Sequence, residues 1–198
     1  RADFGSKQGY GLDRVMSNPR IIGALELSSV GIGYKALDLM LKAAEVNIIL
    51  ARTICSGKYL IVLSGTVSDV ESAMAAGRDA GEGALVDELV LTSVHPSVFP
   101  ALGQSVPMSG EDLQALGIVE SFSGVSILAA ADAAAKAAEV ILFRIHVAMA
   151  LGGKGFLLLS GSQPDVEAAV DAAVGQVRER GLLVSSVVIP RPDPSLVE

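Results

Sequence analysis

The sequence predicts an α/β protein of two tandem units, each a four-stranded antiparallel sheet with helices on one face. Its 198 residues are enough for two small domains of roughly 100 residues each. The segment Gly57–Gly65 returns as Gly153–Gly161, with five of the nine residues identical. Both halves also follow the order strand, helix, strand, strand, helix, strand. The chain is therefore a duplicated unit.

The first unit is predicted to contain four strands, at residues 22–27, 46–51, 59–63 and 85–94. A helix between the first two strands is indicated by an apolar face with helical spacing, made of Ala36, Leu37, Met40, Leu41 and Ala44. Ser68 and Glu71 match a capping box, which predicts a second helix running to about Gly81. Pro96 ends the last strand, because proline cannot donate to a ladder.

The second unit follows a linker at residues 103–115 that is rich in Gly, Ser and Pro. Gly117–Glu120 repeats Gly23–Glu26 at a spacing of 94, whereas Gly153-Lys154 follows Gly57-Lys58 by 96. Two residues are therefore inserted between Val140 and Gly153. Pro164 suits the first turn of a helix, and residues 183–189 form the last strand. The predicted domains are residues 21–102 and 116–198, preceded by a flexible extension at residues 1–20 that has no apolar period.

The composition limits the classes of function. Hydrophobic residues make up 51% of the chain and aromatic residues only 4%, with no Trp. Such a chain is expected to hide its apolar surface in flat contacts between subunits, as an oligomer. A net charge of −7 argues against nucleic acid as a partner. No apolar run is long enough to span a bilayer, and a lone cysteine with no secretory signal predicts the cytoplasm.

Few residues are candidates for catalysis or metal binding. Cys55, the only cysteine, lies in a predicted loop at residues 53–58, where it could be a buried small residue, a nucleophile or a metal ligand. The residues alone favour the first reading. His95 and His146 have no partner at a metal-binding spacing, and His146 is expected to form loop hydrogen bonds. No nucleophile, base and orienting group occur together, so an enzyme is not expected.

A series of motifs, found in the same order in the two units, resembles that of bacterial microcompartment shell domains. They are the Gly-x-x-Glu opening strand, Asp-x-x-x-Lys-Ala-Ala-Glu-Val on the first helix, Gly-Lys before the third strand, Ser-Gly and Asp-Val-Glu, and, in the second unit alone, the terminal Ile-Pro-Arg-Pro. The resemblance covers residues 21–195. The tandem order without circular permutation, a cysteine in the first central loop and Arg-x-His in the second are most similar to the trimeric shell proteins of propanediol-utilisation compartments.

This resemblance implies two ferredoxin-like shell domains and a homotrimer shaped as a pseudo-hexamer. Residues Thr53, Ile54, Ser56 and Gly57 would line its centre, and Cys55 from three chains would hold one 4Fe-4S cluster on the threefold axis. Lys42, Lys136 and Arg191 would be the edge residues through which tiles meet. Other shell proteins and encapsulated redox enzymes would be the partners, inside a microcompartment in the cytoplasm. Contacts on the side of the first unit are in question, since His95-Pro96-Ser97 stands where single-domain relatives have Pro-Arg-Pro.

Two alternatives remain open on the sequence. In one, the protein is a shell protein whose central loop is only a metabolite pore, selective through its size and hydrogen-bond donors. In the other, it is a ferredoxin-like regulatory trimer that binds a small ligand. Colour, sheet formation and nucleotide binding would separate the three functions.

Overall fold

The computed structural model describes residues 21–104, 106–147 and 152–197. The predicted extension at residues 1–20 lies outside these ranges, as do residues 148–151 of the segment that is predicted to contain the two-residue insertion. The first unit contains β1 (Ile22–Leu27), α1 (Val30–Ala43), β2 (Asn47–Ile54), β3 (Lys58–Ser64), α2 (Val67–Ala80) and β4 (Leu85–Leu91). A short helix, α3 (Val98–Leu102), precedes the second unit, which contains β5 (Ala115–Ser121), α4 (Gly124–Ala137), β6 (Ile141–Val147), β7 (Gly155–Gly161), α5 (Gln163–Glu179) and β8 (Leu183–Ile189).

Each unit has one four-stranded antiparallel sheet, with strand order β2-β3-β1-β4 in the first and β6-β7-β5-β8 in the second. The predicted fold class is therefore confirmed. Even the irregularities repeat: the register shifts between Ile48 and Leu50, and again between Leu142 and Arg144. A bulge of this kind is a specified feature of a strand, so the two sheets share one backbone design.

The helix starts agree with the sequence in part. Ser29 and Ser162 cap α1 and α5, and Pro164 stands in the first turn of α5 as predicted. The predicted capping box at Ser68 is wrong, because Thr66 is the N-cap of α2 and its hydroxyl accepts from the Asp69 amide. Threonine and serine cap helices by the same hydrogen bond, and Thr66 offers it two residues earlier.

Several other boundaries differ from the prediction. β2 continues to Ile54, so the predicted loop at residues 53–58 shrinks to the 3-10 turn Cys55–Gly57. β4 ends at Leu91, three residues before the predicted end.

Two side chains also differ from the prediction. Leu41, predicted on the buried face of α1, is exposed. His146 lies on β6, where its ring stacks on Phe156 with centroids 5.0 Å apart, so the predicted loop position is also wrong.

The first sheet is buried on both faces. Its own helices α1 and α2 cover one face, where Leu25, Ile61 and Leu63 form a core cluster with Met40 and Met74. The opposite face belongs to a larger cluster that includes residues of α4 from the second unit, namely Ile22, Ala24, Leu60 and Val62 together with Val125 and Leu128. All six residues of β1 are buried as a result. The larger core cluster is therefore shared by the two units.

The second sheet is covered less completely. α4 and α5 pack on one face, and residues of the linker cover Leu116 and Phe143 on the other. Ile118, Phe156 and Leu158 of that outer face remain half-buried. Within the described residues, no helix combines the length and apolar character that a membrane span requires. The second sheet thus offers an apolar face that the chain itself does not close.

Candidate functional site

Cys55 opens the tight turn that joins β2 to β3. The residue is half-buried and forms no disulfide. The next two residues have left-handed backbone angles, with φ of 65° at Ser56 and 72° at Gly57. Glycine adopts this conformation without strain, whereas serine does so at some cost. A methyl group added to Gly57 would meet no atom within 4 Å beyond its chain neighbours, and this open space leaves room for another chain.

The loop of the second unit lies beside this turn. A Cβ added at Gly153 would stand 3.3 Å from the Lys58 Nζ and 3.6 Å from the Cys55 carbonyl oxygen. Gly152 and Gly153 both have positive φ, at 63° and 86°. The two central loops of one chain are therefore neighbours at the same end of the molecule.

The predicted pore residues are placed differently from one another. Thr53, Ser56 and Gly57 are exposed, while Ile54 is buried in the shared core. Because the Ile54 side chain is buried, only the backbone of Ile54 could line the predicted pore. In the part of the chain that is described, no three His, Cys, Asp or Glu side chains come together as a metal-binding group. One chain supplies one thiolate, so a cluster fits this site only when several copies share it.

A buried charged network joins the two units close to the Cys55 turn. Glu26, on β1, is fully buried, and its Oε1 accepts from the Lys58 Nζ at 2.7 Å. Its other oxygen accepts from the Gly124 amide at 2.8 Å and the Ser123 hydroxyl at 3.0 Å. Glu26 thereby places a negative charge at the N-terminus of α4, where the helix dipole favours it.

Lys58 also crosses the junction. Its Nζ lies 3.4 Å from the carbonyl oxygens of Phe122 and Gly153, both in the second unit. Asp87, on β4, accepts from the Ser126 hydroxyl at 2.6 Å and from Arg180 at 2.7 Å. It also lies 2.6 Å from the Ser123 hydroxyl, whose single proton is shared between Asp87 and Glu26. Since buried charges are costly unless they are paired, this fully partnered network fixes how the units meet.

In the second unit, Glu120 and Lys154 are equivalent to Glu26 and Lys58 but have fewer hydrogen-bond partners among the described residues. Lys154 donates to Glu120 at 2.7 Å, as Lys58 does to Glu26. The other Glu120 oxygen accepts from Ser185 at 3.1 Å, and the Glu120 side chain is 26% exposed. The hydrogen bond from Lys154 holds the pKa of Glu120 below its ordinary value. No helix N-terminus of the described chain stands at Glu120.

The predicted tile-edge residues lie on the surface. Lys42 pairs with Asp38, and Lys136 pairs with Asp132, each at 2.6 Å and one helical turn away. Arg191 is exposed after β8. Asp132 is nearly buried and also accepts from the His95 backbone amide at 2.7 Å. Lys42 lies on α1, Lys136 on α4, and Arg191 after β8.

Sequence reasoning missed the role of the Glu26 and Lys58 pair. A glutamate and a lysine that each stand in an apolar strand, and recur in the second unit as Glu120 and Lys154, are a signal of a buried ion pair. Ser123, Asp87 and Arg180 gave no such signal. The residues equivalent to Asp87 and Arg180 in the other unit are Ser185 and Glu82, which cannot form an ion pair. The internal repeat therefore does not reveal this pair.

Comparisons with known proteins agree with this architecture. Residues 22–94 and 115–192 each match the BMC domain. The chain is 45% identical to the bacterial microcompartment shell protein PduT of Citrobacter freundii, over 88% of this chain and 94% of that protein. It is 37% identical to the shell protein EutM of Salmonella typhimurium over 43% of this chain and 88% of EutM, so about one unit corresponds to that whole relative.

A solved structure is also similar. The crystal structure of a microcompartments protein from Desulfitobacterium hafniense DCB superposes with a TM-score of 0.80 and is 41% identical. The match covers 89% of this chain and 97% of that one. The similarity therefore spans both units and their arrangement.

Proposed function

Because the chain belongs to the BMC domain family and is a structural shell protein of a bacterial microcompartment, we propose that three copies form a pseudo-hexameric tile with a 4Fe-4S cluster on its threefold axis. The tile would carry no enzymatic activity of its own. Its partners would be further shell proteins, and encapsulated redox enzymes if the cluster exchanges electrons.

The observation that carries the trimer is the unequal use of two equivalent surfaces. Within the chain, α4 of the second unit covers the outer face of the first sheet. Among the residues that the structure describes, no helix of the other unit covers α1 or the equivalent outer face of the second sheet. Tyr34, on α1, is 60% exposed, whereas Leu128, its counterpart on α4, is 0% exposed. A second copy that places α1 on the open sheet would repeat the existing junction.

Repeating the junction would also complete the polar network at Glu120. Ser29 and Val30 occupy the positions of Ser123 and Gly124, so the N-terminus of α1 from a neighbouring copy would reach Glu120 as α4 reaches Glu26. Lys154 would then face the carbonyl oxygens of the neighbour's Ser28 and Gly57. Three such contacts, alternating with three internal junctions, close a ring of six units.

The same ring would gather the Cys55 turns. Thiolates are the ligands that iron–sulfur clusters use, and three chains would supply three of the four that a cubane cluster needs. The open surroundings of Gly57 support a close approach of the turns, and a solvent ligand would complete the fourth iron. When bound, the cluster would supply one-electron redox chemistry.

At the rim of the tile, Lys42, Lys136 and Arg191 would meet neighbouring tiles. Both lysines are held by an aspartate one turn away, which fixes the direction of the ammonium group. Charges at the rim of an interface mainly set encounter and register. These residues would therefore govern the packing of tiles, and Lys136→Ala would leave the trimer intact.

The test is anaerobic reconstitution with iron and sulfide of the wild type, Cys55→Ala and the control Thr53→Ala. The wild type and Thr53→Ala are expected to show broad visible absorption and an EPR signal after reduction, with one cluster per trimer. Cys55→Ala should bind no cluster and stay trimeric by native mass spectrometry. Equal iron in the wild type and Cys55→Ala would refute the cluster and leave the plain pore, provided that sheets still form. A discrete trimer that binds a nucleotide and forms no sheets would favour the regulator.

A further inference from the structure

The internal repeat continues past the last strand of each unit. His95-Pro96-Ser97-Val98 follows β4, and Asp193-Pro194-Ser195-Leu196 follows β8 at a spacing of 98. Both segments form the same local turn. His95 Nδ1 and the Ser97 hydroxyl lie 2.8 Å apart, and the Ser195 hydroxyl donates to Asp193 Oδ1 at 2.6 Å. We call residues 193–197 the C-terminal turn.

The first of these segments has a docking place in the same chain. After the turn at His95, helix α3 packs against β6 and α4 of the second unit, and Val98 is 1% exposed. The His95 amide donates to Asp132 on α4 at 2.7 Å, which fixes the start of the segment. The segment therefore fills the space between the helix and the edge strand of the next unit.

The first unit has the matching groove, between α1 and the edge strand β2. It encloses about 560 Å³, and its lining includes Tyr34, Leu37, Ile48 and Leu50. Ile48 is only half-buried, whereas its counterpart Leu142 is buried completely. Asp38, the counterpart of Asp132, has a side chain that is 57% exposed and has Lys42 as its ion-pair partner.

The C-terminal turn of the same chain does not fill this groove. Leu196 lines a pocket with Phe143 and Leu158 on the outer face of its own second sheet, and it is 58% exposed. Its counterpart Val98 loses nearly all its exposure because the next unit in the ring covers it. For Leu196, the next unit in the ring belongs to another chain.

We propose that the groove between α1 and β2 receives the C-terminal turn of a second copy. Leu196 would insert between Tyr34 and Ile48 of the neighbour, and the Asp193 amide would donate to the neighbour's Asp38. Lys42, 2.6 Å from Asp38, supplies the positive charge that the additional carboxylate of Asp193 needs. The proposal rests on the trimer proposed above and adds an exchange of segments between its subunits.

The test places the photoreactive residue p-benzoylphenylalanine at position 196 of the full chain, with the same residue at position 67 as a control. Val67 is also an exposed apolar residue, at the start of α2, away from the groove. Irradiation is expected to join two chains from position 196, with cross-links that map to residues 34–37 or 48–50. The control should give no such products.

A second variant measures the same contact without a bulky probe. Leu196→Ser should raise the concentration at which the trimer dissociates by about tenfold per interface, because most of a leucine side chain leaves a buried site. A trimer whose cross-links from position 196 stay within one chain would overturn this proposal and leave the trimer standing. A monomer in native mass spectrometry would overturn both proposals.

Discussion

Glu26→Gln should destabilise the folded chain itself, because the change removes a charge from the buried network between the units. Gln can still accept from the Gly124 amide, so the loss is of charge and of the ion pair with Lys58. Breaking a buried ion pair costs about 3–5 kcal/mol when the remaining charge stays fully buried. The Lys58 side chain is 18% exposed and water can relieve part of that cost. The loss of a carboxylate at a partly buried helix N-terminus adds up to about 2 kcal/mol.

Together these effects predict a loss of about 3 kcal/mol in the free energy of unfolding, after relaxation of Lys58 toward solvent. For a chain of this size that corresponds to a melting temperature lower by roughly 6–12 °C. Urea denaturation followed by circular dichroism, at one fixed protein concentration, measures the change.

Glu120→Gln is the matched control, since Glu120 occupies the equivalent position but has fewer partners within the chain. We expect its circular dichroism spectrum to stay that of the wild type, while its trimer dissociates at a higher protein concentration in native mass spectrometry. Equal losses of chain stability for the two variants would refute the reasoning, because the two sites would then be used alike within one chain.

Three further predictions concern other sites. Lys136→Ala should weaken sheet formation in electron microscopy and spare the trimer, since Asp132 keeps the His95 amide as a partner. Loss of the trimer would show that Lys136 does not lie at the contact between tiles. The pKa of Glu120 is lowered in the folded chain, so its contribution to stability is present above the ordinary carboxyl pKa of about 4.3 and is lost as the pH falls through the lower folded value. The stability of Glu120→Gln, measured across an acid titration, should therefore depend less on pH than that of the wild type. Gly33→Ala should cost roughly 1–3 kcal/mol, because the new methyl group would meet the Tyr59 ring, whereas Gly175→Ala, in open space on α5, should stabilise by about 0.5–1 kcal/mol; similar unfolding midpoints for both would contradict the packing described.

Much of the fold could be predicted because the same sequence pattern occurs in both units. The motifs Gly-x-x-Glu and Gly-Lys recur at spacings of 94 and 96, and the strands that carry them pair in the same way in both sheets, β1 with β3 and β5 with β7. A helix start such as Thr66 could not be fixed in the same way, since Thr66 and Ser68 offer the same capping hydroxyl two residues apart. Local patterns determine the elements better than their ends.

The candidate site was less accessible to sequence reasoning. Cys55 stands out as the only cysteine, but its turn is shorter than the predicted loop because β2 carries its pairing to Ile54 and Lys58. The contact between the units depends on residues far apart in sequence, such as Glu26 and Gly124. No periodicity within one unit contains that information.

The burial of the first sheet by α4 has a consequence for synthesis on the ribosome. β4 ends at Leu91, whereas α4 ends only at Ala137. At about 5–20 residues per second, the completed first sheet would wait roughly 2 to 9 s with Ile22, Leu60 and Val62 uncovered. During that interval the nascent chain carries an apolar surface that its own later residues must cover, and the same surface is open to chaperones or to the sheet of a neighbouring nascent chain. A ribosome pause placed between these two elements should therefore reduce the yield of native protein, in proportion to how long the first sheet is left without its helix.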